Sequence, residues 1–349
     1  MPDKMLGWHM GLGQVAMTRF AMVGCGAWAE RYVSVANRVA GATFTAAVDS
    51  RGGLAESCGR ALGADLISTS LDDLLNSHAD AVDAVVIATP NNTHALIAEQ
   101  AARAGKHVLV EAPIGLDLAS TDVVIEACRG ANVRLMVGAA MRFAPAALEV
   151  RNAVDNGEVG IPGLMRTHRW ASAADHPADS WQLDATLSGG PFIHEAMNEI
   201  GLAGWLFGGP AETVFGLASY IQPAEHCVQV HLGYTGGAMA LIDFATTMPP
   251  GDGYRSFALI GSAGSVYADD HQNVQLNFRG GHADALVTPG TDAAIQSQLQ
   301  EFVDAIEQDR DPMSNGSESR TALQVATAAL QSAGSGQTFR WRQDGYEPV

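Results

Sequence analysis

From Arg19 onward, short unbroken apolar runs alternate with longer stretches rich in Ala, Arg, Glu and Leu. The runs fall at Phe20–Val23, Phe44–Val48, Ala84–Ala88, Val108–Val110 and Val133–Val137. Runs without polar alternation suit strands buried on both faces. Strand and helix taking turns predicts a doubly wound parallel sheet over residues 18–140. Beyond about Phe143 the texture changes. Glu212–Ile221, Val228–Tyr234, Ala238–Phe244, Phe257–Ile260 and Val274–Phe278 are strand-like, many with polar residues interleaved. Turn signals separate them at Thr235-Gly236-Gly237, Gly251-Asp252-Gly253 and Gly261-Ser262-Ala263-Gly264. Residues 141–349 therefore read as an α+β domain with a large, open, mostly antiparallel sheet, one face solvated or covered by a partner. Helices are expected over Pro191–Leu206, Ile295–Glu307 and Thr321–Ala333, with a last short strand at Phe339–Trp341. Residues 1–17 read as a disordered tail.

Composition narrows the class. A chain of 349 residues, 47% hydrophobic and 17% charged, has the content of a folded globular protein with room for two cores. Its formal net charge of -18 repels nucleic acid and anionic membrane surfaces, and no Lys/Arg cluster reverses it locally. The four cysteines, Cys25, Cys58, Cys128 and Cys227, form no CxxC pair and no zinc spacing, so reduced thiols are expected and no metal site. No apolar run approaches the ~18–20 residues of a membrane span. The opening MPDKMLGWHMGLGQVA lacks the pattern of a signal peptide, and a cytoplasmic location is expected.

Candidate chemistry begins where the first apolar run ends. Gly24-Cys25-Gly26-Ala27-Trp28-Ala29 matches G-x-G-x-x-A directly after Phe20–Val23. The first glycine permits a tight turn, and the second lets backbone N–H groups approach a pyrophosphate. The small third residue lets helix and strand pack closely. Asp49 ends the second run, where a carboxylate would hold ribose hydroxyls and repel a 2′-phosphate. NAD is the expected cofactor. Arg51, close enough to pair with such a phosphate, leaves NADP open.

Two further segments carry a resemblance. The first reads Thr89-Pro90-Asn91-Asn92-Thr93-His94, and the second Gly105-Lys106-His107-Val108-Leu109-Val110-Glu111-Ala112-Pro113. Together with VGAAMRFAP at 137–145 and SGGPFIHEAMNEIGLAGW at 188–205, the order resembles the glucose-fructose oxidoreductase / inositol dehydrogenase / MocA family. The resemblance implies a Rossmann domain plus an open-faced α/β domain whose bare face builds a homodimer or homotetramer. It implies NAD(P)-dependent oxidoreduction of secondary alcohols on sugars, cyclitols and related compounds. By the same resemblance Thr89, Pro90, Asn91 and His94 line the nicotinamide side, while Glu111 and the turn at Pro113 shape the floor beneath the ring.

The reaction needs a hydride to leave one carbon and a proton to leave its hydroxyl. In the family that work falls to a Lys in E-K-P and to an Asp and a His spaced D-x-x-x-H. Here those positions hold Ala112, His194 and Asn198. His194 and Asn198, four apart, share a helix face, and His194 is the expected proton acceptor because imidazole titrates near neutral pH. Asn198 can hydrogen-bond a hydroxyl but exchanges no proton. Glu195 and Glu199 read as solvated first-turn carboxylates. Arg142, His168, Arg169, His176, Trp181 and Asp184 are further polar groups for a sugar-like substrate, with Trp181 suited to stacking. Arg142 reads first as a bridge between the halves. A redox-neutral enzyme that retains its nicotinamide, or a non-catalytic relative, are the alternatives that the lost lysine raises.

Overall fold

The computed structural model describes residues 17–177, 179–221, 224–269, 275–279, 285–287 and 291–349. Apart from Met17, the expected tail lies outside them.

The unbroken apolar runs become the first sheet. Its strands are β1 (Thr18–Val23), β2 (Ala42–Val48), β3 (Leu66–Ser68), β4 (Ala84–Ile87), β5 (His107–Glu111) and β6 (Leu135–Gly138). All pair in parallel in the order β3-β2-β1-β4-β5-β6. Ala84, Val85, Val86 and Ile87 are fully buried, as a central strand covered on both faces requires. The covers are α1 (Ala29–Val35), α2 (Gly52–Leu62), α3 (Leu71–His78), α4 (Asn91–Arg103) and α5 (Leu118–Gly130). This strand order creates a crevice at the carboxyl ends of β1 and β4, where the chain reverses direction across the sheet.

Short helix α6 (Ala140–Phe143) and α7 (Pro145–Asp155) lead into the second half. There β7 (Pro162–Trp170) is followed by α8 (Ala185–Ser188) and α9 (Pro191–Phe207). Strands β8 (Thr213–Ile221), β9 (Ala224–Gly233), β10 (Met239–Ala245), β11 (Tyr254–Gly261), β12 (Ser265–Asp269), β13 (Gln275–Arg279) and β14 (Ala285–Val287) continue the sheet. Helices α10 (Thr291–Glu307) and α11 (Gly316–Ser335) precede β15 (Phe339–Arg342) and β16 (Gly345–Pro348). The described strands run in the order β14-β13-β12-β11-β7-β10-β9-β8-β15-β16, antiparallel except for the β7–β10 pair. Ala240, Ile242 and Phe244 alternate inward along β10 and pack with Val228, Val230, Leu232 and Met165 beneath α9 and α11. The outer face keeps Leu217, Met239 and Ile260 about half exposed.

Three differences from the sequence reading have physical causes. β7 has no counterpart among the expected strands, because Arg166, His168 and Arg169 interrupt any apolar run and only Met165 and Thr167 are buried. The strand expected at Val274–Phe278 is found at Gln275–Arg279, and Val274 lies outside the described residues. Helix α10, placed by sequence order in the second half, buries Ile295, Leu299, Phe302 and Val303 in the core of the first. The Phe302 ring lies 6.1 Å from that of Phe20 on β1. No described helix is long and apolar enough to cross a membrane.

Candidate active site

The turn after β1 needs its first glycine. Gly24 has φ +89°, and a Cβ there would stand 2.6 Å from the Ala88 carbonyl oxygen. Gly26 differs: a Cβ would meet nothing within 4 Å, so its face opens onto the space where a pyrophosphate would lie. Asp49 closes the turn from the end of β2. Its carboxylate accepts from the Cys25 amide at 2.9 Å and the Arg51 amide at 2.8 Å, and the largely exposed Arg51 side chain pairs with it at 3.3 Å. These residues fit a bound dinucleotide: backbone donors on one side and a carboxylate fixed against the Cys25 amide between the two glycines. The four cysteines are free, with Cys25, Cys58 and Cys128 buried.

Between the halves lies a cleft of about 690 Å³. Its nucleotide side is lined by Trp28, Thr89, Asn91, His94, Glu111 and Ala112. Pro90 caps α4 beside them. His94 is buried, with Nδ1 2.8 Å from the Pro113 carbonyl and Nε2 2.8 Å from that of Thr89, so it ties the two family segments together. Burial pushes its pKa down against the pull of those carbonyls. Glu111 is half-buried, and its loss of solvent raises its pKa although the Tyr32 hydroxyl donates to it. Gln298 of α10 donates to that hydroxyl at 2.7 Å and accepts from the Ala139 amide at 2.8 Å. A methyl on Gly138 would collide with the Glu111 carboxylate, so the floor is close-packed.

The facing wall comes from the second half. Helix α9 contributes His194, Glu195, Asn198 and Glu199; β7 adds Arg169, β11 adds Arg255, and the segment between β7 and α8 adds His176 and Trp181. The Trp181 and His194 rings meet edge to face with centroids 5.1 Å apart. Asn91 reaches across from α4, its Nδ2 donating to the Ser188 carbonyl at 2.8 Å and lying 3.1 Å from His194 Nδ1. Since the Ser188 bond fixes Nδ2 at that end of the amide, Asn91 donates to His194 Nδ1. A neutral ring then carries its proton on Nε2. Burial holds the His194 pKa below the usual value, with Glu195 opposing.

The carboxylates of α9 are not solvated, which corrects the sequence reading. Around its four polar residues this helix is apolar, with Phe192, Ile193, Ala196, Met197 and Ile200 buried, so a charge upon it is carried toward the interior. That composition was the signal available in the sequence. Glu195 pairs with Arg169. Burial works to raise its pKa, but Arg169 and His194 bring it below the ordinary carboxylate range. Glu199 is 1% exposed, and burial raises its pKa against the pull of Arg255 and Arg169. Arg255 and the Tyr32–Gln298 pair had no sequence signal, because each depends on elements far apart in the chain.

Three substrate candidates stand elsewhere. Arg142, 4% exposed, donates to the Met313 carbonyl at 2.7 Å and the Gly201 carbonyl at 3.2 Å and pairs with Glu318, so it fastens α6 to α9 and α11. His168 sits one residue before Arg169 and points to the other side of the sheet, 2.6 Å from Ser256 Oγ and 3.2 Å from Asp243. Asp184 caps α8 by accepting from the Thr186 amide at 2.8 Å. None of the three lines the cleft. Among the described residues no cluster of His, Cys, Asp and Glu could hold a metal ion.

The comparisons agree with this architecture. Residues 18–139 match the oxidoreductase family model with an NAD-binding Rossmann fold, and residues 151–340 match that family's C-terminal alpha/beta domain. The chain belongs to this oxidoreductase family, and its N-terminal half is an NAD-binding domain. It is 29% identical to inositol 2-dehydrogenase of Rhizobium meliloti, over 90% of this chain and 96% of the relative. It is 28% identical to scyllo-inositol 2-dehydrogenase (NAD(+)) of Bacillus subtilis, over 84% and 87% respectively. The fold is shared with aldose-aldose oxidoreductase of Caulobacter crescentus at a TM-score of 0.83 and 23% identity, covering 93% of this chain and 100% of the other.

Proposed function

We propose that this chain is an NAD-dependent dehydrogenase interconverting a secondary alcohol and a ketone on a sugar, cyclitol or related small molecule. One observation carries the reading: Asn91 of the nucleotide half holds His194 of the other half, in the cleft that the ends of β4 and β5 enter. Bound NAD supplies the hydride acceptor. Gly24, Gly26, Ala27 and Trp28 form the turn that receives it, and Asp49 takes the ribose. Thr89, Asn91, His94 and Glu111 bound the ring's pocket.

His194 serves this reaction as a donor. With Nδ1 already occupied, its Nε2–H, 3.8 Å from Glu195 Oε1, is left to donate to the oxygen that becomes the ketone and to stabilise charge there. This modifies the role expected from sequence, where the ring was the proton acceptor. Trp181 offers an apolar surface for a sugar face. The names of the inositol dehydrogenase relatives support a cyclitol among the first substrates to try. The test is NADH formation from NAD with myo-inositol, scyllo-inositol and a panel of aldoses. No turnover in either direction, with NAD bound, defeats the reading.

Asp49 sets the choice of nucleotide. NAD is expected to bind more tightly than NADP, and Asp49→Ala to shift the ratio of the two affinities by about tenfold toward NADP, or ~1.4 kcal/mol. Titration calorimetry with both nucleotides on wild type and variant checks this. The same reading includes a homodimer or homotetramer through the outer face of the second sheet, supported by half-exposed Leu217, Met239 and Ile260. Light scattering of the purified protein decides it.

A further inference from the structure

Most polar groups in the cleft are already engaged. Tyr32 donates to Glu111, Arg169 pairs with Glu195, and Asn91 spans Ser188 and His194. Asn198 Oδ1 also lacks a partner, but among the carboxylates Glu199 is the exception. It lines the cleft and is 1% exposed, yet neither carboxylate oxygen meets a hydrogen-bonding partner on another residue. A carboxyl stripped of water and given no donor is strongly penalised unless something else supplies one. The cleft is where that donor enters.

The position is built by α9. Glu195 and Glu199, four apart, lie one above the other on the same helix face, so Glu199 sits one turn further along the wall. Arg169 faces it from β7 and Arg255 from β11, with Glu195 on its own helix. Proton transfer in the proposed reaction needs an acceptor, and the other candidates are spent. His194 has its Nδ1 filled and its Nε2 protonated. Glu195 is neutralised by Arg169. Asn198 and Ala112 carry no exchangeable proton site, and Glu111 is taken up by Tyr32 on the nucleotide side.

We propose that Glu199 is the catalytic base, accepting the hydroxyl proton of the substrate, an assignment that rests on the dehydrogenase reading above. The O–H bond breaks, its proton goes to a Glu199 oxygen, and its electron pair forms the second bond of the ketone. The C–H bond breaks with both electrons leaving as hydride to the nicotinamide of NAD. The products are the ketone, NADH and a protonated Glu199, which returns its proton to water as the open cleft empties. Burial raises the Glu199 pKa, and the cations Arg255 and Arg169 oppose it by favouring the ionised form.

Glu199→Gln keeps the shape and removes the base. With myo-inositol and NAD, kcat/KM is expected to fall by about 10²-fold or more, and the acid limb of the pH profile to disappear. NAD affinity stays unchanged, and Glu199→Asp recovers part of the rate. A second readout needs no turnover. Because the folded carboxyl has a raised pKa, wild type loses stability as pH rises from the unfolded value, about 4.3, through the folded one, and Glu199→Gln does not. Denaturant melts across pH should therefore separate in favour of the variant. Arg255→Gln, which removes an opposing cation, should move the acid limb to higher pH.

A wild type that binds NAD but oxidises nothing defeats the dehydrogenase reading. A Glu199→Gln protein as active as wild type, or one that is slower but keeps the acid limb, overturns the assignment of Glu199 and leaves that reading standing. An acid limb unmoved in Arg255→Gln overturns it as well, even if the Gln variant fails to fold.

Discussion

Replacing Gly24 by alanine is expected to weaken NAD binding by about 10²-fold or more, the equivalent of ~3 kcal/mol. The backbone here has φ +89°, a conformation that costs an L-residue roughly 1–2 kcal/mol. The added methyl would stand 2.6 Å from the Ala88 carbonyl oxygen and 2.7 Å from Thr89 Cγ2. Both neighbours follow directly on β4, so the chain relieves the collision by moving the turn rather than the sheet. Any such movement displaces the Cys25 amide from Asp49 and spoils both nucleotide contacts together. Calorimetry measures the affinity, and a denaturant melt measures the accompanying loss of stability. Gly26→Ala provides the contrast. Its methyl has room in the empty fold, so stability should hold while NAD affinity falls. Equal NAD affinity in Gly24→Ala and wild type would refute the account of the turn.

The second large effect concerns the ring that Asn91 holds. Removing it in His194→Ala is expected to lower kcat by about 10²–10³-fold, the usual loss for one donor to a developing oxyanion. NAD affinity should be little changed. Asn91→Asp is the sharper test. A carboxylate in place of Nδ2 accepts from the ring, so the proton moves to Nδ1 and the neutral Nε2 faces the cleft without hydrogen. The same carboxylate raises the imidazole pKa. Only the protonated ring then donates from Nε2, so activity in the variant should be present at low pH and fall as pH rises through the raised value. In wild type the Nε2–H persists above the ring's own depressed pKa. Nitrogen NMR of His194 reports the tautomer directly, and an unshifted tautomer in Asn91→Asp would exclude the mechanism.

Much of the fold was legible because the first sheet is covered on both faces. Phe20–Val23 and Ala84–Ala88 have no reason to carry a polar residue, and their strands appear where the runs are. The glycine turn was legible for a related reason, since its chemistry is local. β7 was not, because a strand with one face toward a cleft and the other toward solvent holds Arg166, His168 and Arg169 among few apolar residues. The same limit applied in the site. His194 and Asn198 could be placed on one helix face by spacing, but the state of the imidazole depends on Asn91, 103 residues earlier. Glu199 reads as solvated by its residue type and place on the helix, whereas the packing of α9 against the second sheet buries it. Arg142 reads from the sequence first as a bridge between the halves, and its partners on Met313, Gly201 and Glu318 make it a fastener.

Helix α10 has a bearing on how this polypeptide comes into being. Phe20 and Phe44 stand on β1 and β2, whereas Ile295, Leu299 and Phe302, which complete the hydrophobic layer around them, come about 250–280 residues later. A nascent chain emerging from the ribosome therefore has its nucleotide sheet in hand but incompletely covered on one side until α10 is synthesised. Truncation before α10 would leave an oily, association-prone intermediate rather than a miniature binding protein, and the two halves share a single fate in the cell.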